Sequence, residues 1–310
     1  MSPQKTATGI ALMLAFCVLA PLLDTCAKLA TATIPTGQIA TTRFVGQALF
    51  MLPVALVLKP AFRASLRDHA LLFARAMLLA VSTFCFVAGV TVMPIADALA
   101  IVFVMPFFMM FLGHWIFGSP VGPRRIAASL VGFLGAMLVI QPSLAHWGPV
   151  ALFPLGTAFF FSFYEVITQA LGPRLHPVAI QLETALWGTL VMVPLLWAMH
   201  GSHVAVLDPV MPRGISWLWL VGVGFWAAAS HLAMTYALKY APVSTLAPLH
   251  YLELVTAVII GLLVWCTFPN ATKLAGIAVI IGSGLYIIHR ERLASRQGLP
   301  IPTELPPEAV

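Results

Sequence analysis

The chain has 310 residues, of which 61% are hydrophobic and only 8% are charged, and its formal net charge is +6. Soluble globular proteins carry about 25% charged residues, so this composition excludes a soluble domain and indicates a polytopic α-helical membrane protein. The apolar segments lack the strict alternation of an outer-membrane β-barrel. The basic residues lie in short loops between the segments, which argues against a nucleic-acid partner.

Ten apolar segments follow one another along the chain, and each is long enough to cross a hydrocarbon core of about 30 Å as a helix. We predict spans at 7–30, 38–58, 70–92, 95–117, 125–141, 149–171, 177–199, 214–239, 242–266 and 272–289. The connections between the third and fourth spans and between the eighth and ninth spans are very short, and each contains a proline, Pro94 or Pro242. They predict two tight helical hairpins. In an alternative reading the first segment is a cleaved signal peptide, with ATA at 30–32 as its site, and nine spans are left.

The basic residues orient the predicted bundle. With the N-terminus inside, the inner segments hold twelve lysines and arginines, whereas the outer segments hold only Arg213 and Lys273. The positive-inside rule therefore predicts that both termini are cytoplasmic. We assign residues 1–6 to a short cytoplasmic N-terminus and residues 290–310, which end in a proline-rich stretch, to a disordered cytoplasmic tail.

The two halves of the chain form a weak internal repeat. A shift of 148 residues places the third to fifth spans on the eighth to tenth without a gap, so that Pro94 meets Pro242 and Gly113 meets Gly261. We assign five spans to each repeat, at 7–141 and at 149–289. Because five is odd, the second repeat inserts upside down relative to the first. Inverted repeats are typical of secondary transporters whose site lies near the membrane midplane.

Two stretches carry a resemblance to a known family. The fourth span contains ALAIVFVMPFFMMFLG and the ninth contains STLAPLHYLELVTAVIIGLL. With ten spans in two five-span repeats, they resemble the EamA-type members of the drug/metabolite transporter superfamily over nearly the whole chain. The YddG-like bacterial aromatic amino-acid exporters look closest. The LEL at 252–254 matches a Glu-Pro position of the family, with Glu253 kept, whereas FGSP and WCTF replace its frequent Gly-Glu pair.

The resemblance implies a ten-helix fold and a multi-pass location in the bacterial inner membrane. It also implies export of amino acids, aromatic or neutral, or of similar small metabolites by alternating access. For such a substrate, Glu253 or a histidine would hold the ammonium group. Lys28, Arg43 or the dipoles of half-helices would meet the carboxylate.

Ionisable groups inside spans cost about 2.5–3.5 kcal/mol at a helix centre and are functional candidates by default. His231 and His250 lie nine or ten residues on either side of the turn at 240–241, which puts both near the midplane, and Glu253 shares a helix face with His250. The predicted substrate-binding residues are His231, His250, Glu253, Tyr251, Trp226, Tyr236 and Thr83, which is the first-half counterpart of His231. In the alternative reading, the histidines are hydrogen-bonded core residues and the aromatic residues only pack.

Two further charged groups occupy mirror positions under the inverted repeat. Asp24, Lys28 and Arg43 fall in the outer halves of the first two spans, whereas Glu165 and Glu183 fall in the inner halves of the sixth and seventh. We interpret these groups as ionic latches at the two mouths, one forming as the other breaks. Static ion pairs at helix ends are the alternative.

The sequence contains no catalytic, phosphate-binding or dinucleotide-binding motif, so we expect no enzyme activity, no cofactor and no metal site. The expected partners are a small-molecule substrate, membrane lipid and, through a histidine, protons. The oligomeric state is open, and a monomer is compatible with the sequence. The alternative classes are a channel or scramblase-like facilitator and an intramembrane enzyme with His231 or His250 as its base.

Overall fold

The computed structural model describes residues 3–60, 64–93, 95–118, 122–140, 148–265 and 270–296, and within them the chain is helical and contains no β-strand. Ten helices in this part of the chain are long and apolar enough to cross a membrane, which confirms the predicted all-α class and the number of spans. The helices are α1 Pro3–Ala30, α2 Thr36–Leu58, α3 Leu66–Val92, α4 Ile95–Val102 with Met105–Phe117, α5 Pro123–Ile140, α6 Leu152–Leu171, α7 Pro177–Ala198, α8 Ser216–Tyr240, α9 Val243–Leu246 with Tyr251–Trp265, and α10 Ala271–Arg296.

The helices at both ends of the chain are longer than the predicted spans, and α1 begins at Pro3, within the segment predicted as the N-terminus. Helix α10 extends to Arg296 and so enters the segment that was assigned to a disordered tail. Residues 297–310 lie outside the described residues, as do the predicted hairpin proline Pro94, the last residue of the first repeat and residues 142–147 between the two repeats.

The helices pack in the pattern that a pseudo-two-fold axis produces. The first helices of the two halves, α1 and α6, have equivalent partners in the other half. Helix α1 packs along α8 and contacts α9, whereas α6 packs along α3 and contacts α4. Helices α2 and α7 contact one another across the axis, and so do α5 and α10. The most extensive helix contacts therefore join one inverted half to the other, and the centre of the bundle is the interface between the halves.

Helices α4 and α9 are interrupted at nearly equivalent places in the two halves. The chain turns at residues 103–104 before α4 resumes with Pro106 in its first turn, and α9 tightens into a 3₁₀ turn at Ala247–His250 that contains Pro248. Proline has no N–H to donate, so it interrupts the regular bonding of a helix. The Tyr251 hydroxyl donates to the carbonyl oxygen of Phe103 at 3.2 Å, so the two interruptions pack against each other. The ninth span is thus two helical segments rather than one continuous helix.

Glycine allows helices from opposite halves to approach closely. A Cβ atom added at Gly46 of α2 would lie 2.6 Å from the Cα atom of Gly224 in α8. One added at Gly276 of α10 would lie 2.7 Å from the carbonyl oxygen of Gly135 in α5. Both distances lie well inside van der Waals contact, so these two crossings require glycine. At Gly282 of α10, by contrast, an added Cβ atom meets nothing within 4 Å.

We predict that Gly46→Ala destabilises the protein by about 1–3 kcal/mol, because the new methyl group forces α2 and α8 apart. Thermal unfolding in detergent, followed by size-exclusion chromatography, measures the change. The matched control is Gly282→Ala, for which we expect an unchanged or slightly raised midpoint, since alanine favours helix over glycine. Equal midpoints for the two variants would show that the α2–α8 crossing does not depend on glycine.

Candidate functional site

The guanidinium group of Arg43 lies buried between the two halves of the bundle. Its Nη1 donates to the hydroxyl of Thr83 in α3, and its Nη2 donates to Nε2 of His231 in α8. Thr83 and His231 are 148 residues apart, which is the shift of the internal repeat. One cation from α2 therefore joins equivalent positions of both halves. Its Nε atom has no hydrogen-bond partner among the described residues.

The contact with Arg43 fixes the proton on His231. An arginine side chain can only donate hydrogen bonds, so Nε2 of His231 accepts and Nδ1 carries the hydrogen. This Nδ1 donates to the hydroxyl of Tyr164 in α6 at 2.9 Å. The same hydroxyl accepts from Nη2 of Arg75 in α3 at 2.7 Å. A continuous chain of buried polar groups thus runs from Arg43 through a neutral histidine and a tyrosine to a second arginine.

Arg75 is fully buried and bonds to three helices of the second half. Its guanidinium carbon also lies 4.2 Å from the centroid of the Tyr164 ring. Its acceptors are the hydroxyls of Tyr164, Thr168, Thr184 and Thr235 and Oε1 of Gln181. A planar guanidinium presents five donors in a fixed fork, which suits a set of acceptors on several helices. Because Arg75 belongs to the first half and its acceptors to the second, this side chain ties the halves together.

A second cluster is built around His250, in the 3₁₀ turn of α9. Its Nε2 lies 3.1 Å from Oε1 of Glu165 in α6, and its Nδ1 lies 4.0 Å from Oε2 of Glu253. The side chains of His250 and Glu165 are 0% and 1% exposed, whereas that of Glu253 is 15% exposed. The ring of Phe16 in α1 packs edge-on against His250 at 5.6 Å and against His231 at 6.0 Å between centroids. The two predicted histidines thus flank one phenylalanine and belong to separate hydrogen-bonded groups.

The predicted outer latch residues lie close to the first cluster. The carboxylate of Asp24 in α1 is within electrostatic range of the Arg43 guanidinium and of the Glu253 carboxylate. Lys28 points elsewhere, because its Nζ donates to the carbonyl oxygen of Val90 at the end of α3. Asp24 and Arg43 therefore share the central site, whereas Lys28 joins α1 to α3 near the outer end of the bundle.

The predicted inner latch residues are separated from one another. Glu165 belongs to the His250 cluster. Glu183 of α7 instead pairs with His69 of α3, with 2.9 Å between Oε2 and Nδ1, and both of these side chains are partly exposed. This pair lies at the end of the bundle that the basic residues assign to the cytoplasm, beside the ion pair of Arg174 with Asp68.

The remaining predicted aromatic residues do not converge on the histidines. Tyr251 packs on Phe103 and in the space left by Gly132, between α4, α5 and α9. Trp226 packs against apolar residues of α1 and α8 toward the outer end. Tyr236 stacks edge-on with His176 at the cytoplasmic end, 6.0 Å between centroids. Thr83, in contrast, accepts a hydrogen bond from Arg43 within the central site.

Sequence reasoning missed Arg75 and Tyr164 as parts of the site. Arg75 was counted among the basic residues of the inner side, although it falls within the predicted third span at 70–92. The capping box of Ser65 and Asp68 starts α3 at Leu66 instead, which places Arg75 more than two turns inside the helix. The pattern Ser-Leu-Arg-Asp at 65–68 was the available signal. Tyr164 directly precedes Glu165 in an otherwise apolar helix, and no local pattern distinguishes it from a packing aromatic residue.

Two inverted helical halves with a buried charged centre define a polytopic membrane transporter. The profile of the EamA-like transporter family matches residues 7–141 and again residues 148–289. The chain therefore belongs to the EamA-like transporter family of the drug/metabolite transporter superfamily. The resemblance noted in the sequence is confirmed at this level.

The chain is similar to several characterised transporters of bacteria. It is 28% identical over 265 residues to a riboflavin transporter of Rhizobium johnstonii, and the match covers 85% of this chain and 84% of the relative. It is 26% identical over 264 residues to the pseudopaline exporter CntI of Pseudomonas aeruginosa, and the match covers 84% of this chain and 88% of the relative. It is 22% identical over 285 residues to an S-adenosylmethionine uptake transporter of Rickettsia prowazekii, and the match covers 92% of this chain and 93% of the relative. These names describe different substrates and both directions of transport.

The fold also matches a solved crystal structure. The superposition has a TM-score of 0.72 at 18% sequence identity and covers 96% of this chain and 100% of the other. At that identity the match supports the fold alone.

We predict that Tyr164→Phe destabilises the protein by about 1–3 kcal/mol, because it leaves Nδ1 of His231 without its acceptor in the core and removes one of the three acceptors of Arg75 Nη2. The free energy of unfolding in mixed micelles measures the loss. Tyr286→Phe is the matched control, since Tyr286 in α10 is 45% exposed. If both substitutions have the same small effect, the Tyr164 hydroxyl does not join the two arginines.

Proposed function

We propose that the protein is a secondary carrier of the bacterial inner membrane that exports small zwitterionic metabolites by alternating access. Amino acids with aromatic or neutral side chains are the first candidates. The observation that carries this proposal is the set of opposite charges around Arg43. A buried arginine with an unpaired Nε lies within electrostatic range of Asp24, which in turn lies within range of Glu253. Such a set complements a molecule that carries one carboxylate and one ammonium group.

The arrangement suggests a role for each side chain. Arg43 offers a free donor for a carboxylate, and Thr83 and His231 hold its guanidinium in place from both sides. Glu253 is only partly buried and accepts the ammonium group, assisted by Asp24. The rings of Phe16 and Phe161, which pack edge-on against His231, supply an apolar surface for the substrate side chain. The resemblance to YddG-like exporters supports aromatic amino acids and outward transport.

Alternating access in this proposal is a rocking of residues 7–141 against residues 149–289. Arg75 lies on the cytoplasmic side of His231, because its acceptor Thr235 is one helical turn further along α8 in that direction. Opening the cytoplasmic side between the halves would separate Arg75 from acceptors on α6, α7 and α8. The inner latch of the proposed cycle is therefore the Arg75 network, with the Glu183–His69 pair nearer the cytoplasm.

Transport by the carrier should be saturable and should depend on Arg43. We expect counterflow of radiolabelled tryptophan, phenylalanine or leucine in proteoliposomes, and we expect Arg43→Gln to lower its rate roughly 10–100-fold, as the loss of one charged hydrogen bond predicts. Riboflavin and S-adenosylmethionine serve as comparison substrates in the same vesicles.

The control for Arg43→Gln is Arg213→Gln, an exposed arginine in the loop between α7 and α8, which should transport at the parental rate. Movement of riboflavin or S-adenosylmethionine without any amino acid would overturn the substrate proposal. Flux that rises linearly with substrate concentration and shows no counterflow would instead establish a channel-like facilitator.

The Arg75 network should control access from the cytoplasmic side. In a variant without the four native cysteines, a cysteine at Leu72 reports on this side, because Leu72 is buried between α3, α6 and α7. We expect Arg75→Gln to raise the rate at which a thiol reagent labels Leu72→Cys at least about fivefold, since an amide cannot replace three to five charge-assisted bonds.

General unfolding is distinguished by a second reporter at the other end of the bundle. Ile34 is buried at the outer end, so a cysteine introduced there (Ile34→Cys) should keep its slow labelling in the Arg75→Gln background. Faster labelling at both positions would mean that Arg75 stabilises the fold without closing one side.

A further inference from the structure

Three buried polar atoms of α2 and α7 lack a hydrogen-bond partner among the described residues, and only one of them has a role in the proposed function. They are Nε of Arg43, Oε1 of Gln47 and Nε2 of Gln181. Arg43 is 7% exposed, and both glutamines are 0% exposed. Buried polar groups in native proteins are almost always paired, so an unpaired donor and an unpaired acceptor side by side require an explanation.

The orientation of the two glutamine amides is fixed by Arg75. An arginine can only donate, so the atom of Gln181 that lies 3.2 Å from Nη2 of Arg75 must be the oxygen. The same oxygen lies 3.1 Å from Nε2 of Gln47, which must therefore be the donor. Rotation of either amide by 180° would bring two donors or two acceptors face to face. The pair thus presents one free acceptor, Gln47 Oε1, and one free donor, Gln181 Nε2.

The hydroxyl of Tyr164 does not satisfy the free amide of Gln181, although it lies within interaction range of that side chain. A hydroxyl oxygen has two lone pairs. Both are occupied, because Nδ1 of His231 and Nη2 of Arg75 donate to this oxygen. The Gln181 amide therefore needs another acceptor, and the Gln47 carbonyl needs another donor.

The amide pair lies one helical turn from the guanidinium that the proposed function assigns to the substrate carboxylate. Arg43 and Gln47 are four residues apart on α2 and share a face, with about 6 Å between them along the axis. In an extended glutamine molecule, the carboxylate and carboxamide carbons are about 5 Å apart, since each C–C bond measures about 1.5 Å. One such molecule spans the distance from Arg43 to the two amides.

We propose that Gln47 and Gln181 form a subsite for a side-chain carboxamide, so that glutamine is preferred among the neutral amino acids. The substrate carbonyl oxygen accepts from Gln181 Nε2, and its NH₂ group donates to Gln47 Oε1. The carboxamide is neutral, so it satisfies both atoms without adding charge to the buried centre. This inference rests on the proposed function, because Arg43 has to hold the carboxylate of the same molecule.

The subsite distinguishes glutamine from two amino acids of nearly the same length. Methionine has an apolar side chain, so its binding leaves both glutamine amides unpaired. Glutamate has no N–H to donate to Gln47 Oε1 and adds a negative charge beside that oxygen. A site with buried hydrogen-bonding groups rejects analogues that cannot pair with them much more strongly than an apolar site rejects a change of size.

Competition in proteoliposomes measures this preference. The labelled amino acid that shows counterflow is exchanged in the presence of unlabelled glutamine, methionine or glutamate. We expect glutamine to halve the rate at a concentration at least about tenfold lower than methionine or glutamate, as the loss of a pair of buried hydrogen bonds predicts. Equal potency of glutamine and methionine would overturn the subsite.

The variant Gln47→Met removes the free acceptor but keeps the length of the side chain and leaves Gln181 bonded to Arg75. We expect glutamine to lose about tenfold in potency while methionine keeps or improves its own, so the ratio of the two falls toward one. The matched control is Gln38→Met, the same substitution on the same helix. Both amide atoms of Gln38 bond to the backbone of Val210 at the exposed outer end, so the parental ratio should persist.

A purely structural role for the amide pair gives a different result. In that case Gln47→Met lowers transport in general and shifts the potency of glutamine and methionine by the same factor. An unchanged ratio in Gln47→Met would therefore overturn the proposal, even if the overall rate falls.

Binding in detergent separates failure of the subsite from failure of the proposed function. Butyramide is a neutral carboxamide without a carboxylate or an ammonium group, and its binding is followed by thermal stabilisation of the full-length protein. If no amino acid shows counterflow, the proposed substrate class is wrong. Stabilisation of the parent but not of Gln47→Met by butyramide would then still support the subsite, whereas equal behaviour of the two would overturn it as well. If amino acids exchange without any preference for glutamine, the subsite fails alone.

Discussion

The structure depends on two arginines that are buried in a bundle surrounded by lipid. A guanidinium group does not lose its proton in a protein, so its donors need polar partners from neighbouring helices, and only Nε of Arg43 lacks one among the described donors of these two residues. Arg43 and Arg75 find those partners mainly on helices of the opposite half. Apolar packing alone would fix the halves only weakly, because lipid tails are as apolar as leucine side chains. The polar bonds define one arrangement of the halves, and glycine pairs such as Gly46 with Gly224 let the helices come close enough to form them.

The two halves of the inverted repeat differ at the charged positions of the centre. The shift that superposes Thr83 on His231 also places Met105 on Glu253, and the basic residues of the centre lie in the first half. The second half supplies Glu165, Glu253 and the imidazoles, so the interface between the halves joins groups of complementary charge. A substrate with both charges would therefore contact both halves. This gives it a direct means to influence how they meet, which symmetric apolar halves would lack.

Substrate recognition and closure of one side are proposed for neighbouring parts of one buried network. Tyr164 joins His231 to Arg75, and the adjacent residue Glu165 bonds to His250. Displacement of α6 would thus alter both groups at the same time. In a low dielectric, a change of one charge at any of these positions affects the others strongly. Coupling between the proposed steps then follows from electrostatics over a short distance and needs no separate relay.

The sequence by itself determined the class of protein, the ten spans and the inverted repeat, because segment length, apolar composition and the placement of basic residues are local properties. It also identified His231, His250 and Glu253 as buried groups in need of partners. Only the tertiary structure decided which side chains are those partners. Glu165 meets His250 across 85 residues of sequence, and Arg75 meets acceptors on three other helices. These pairings depend on where helices distant in sequence cross, within the second half for Glu165 with His250 and between the halves for Arg75. No local pattern encodes that geometry, because it follows from the packing of the whole bundle.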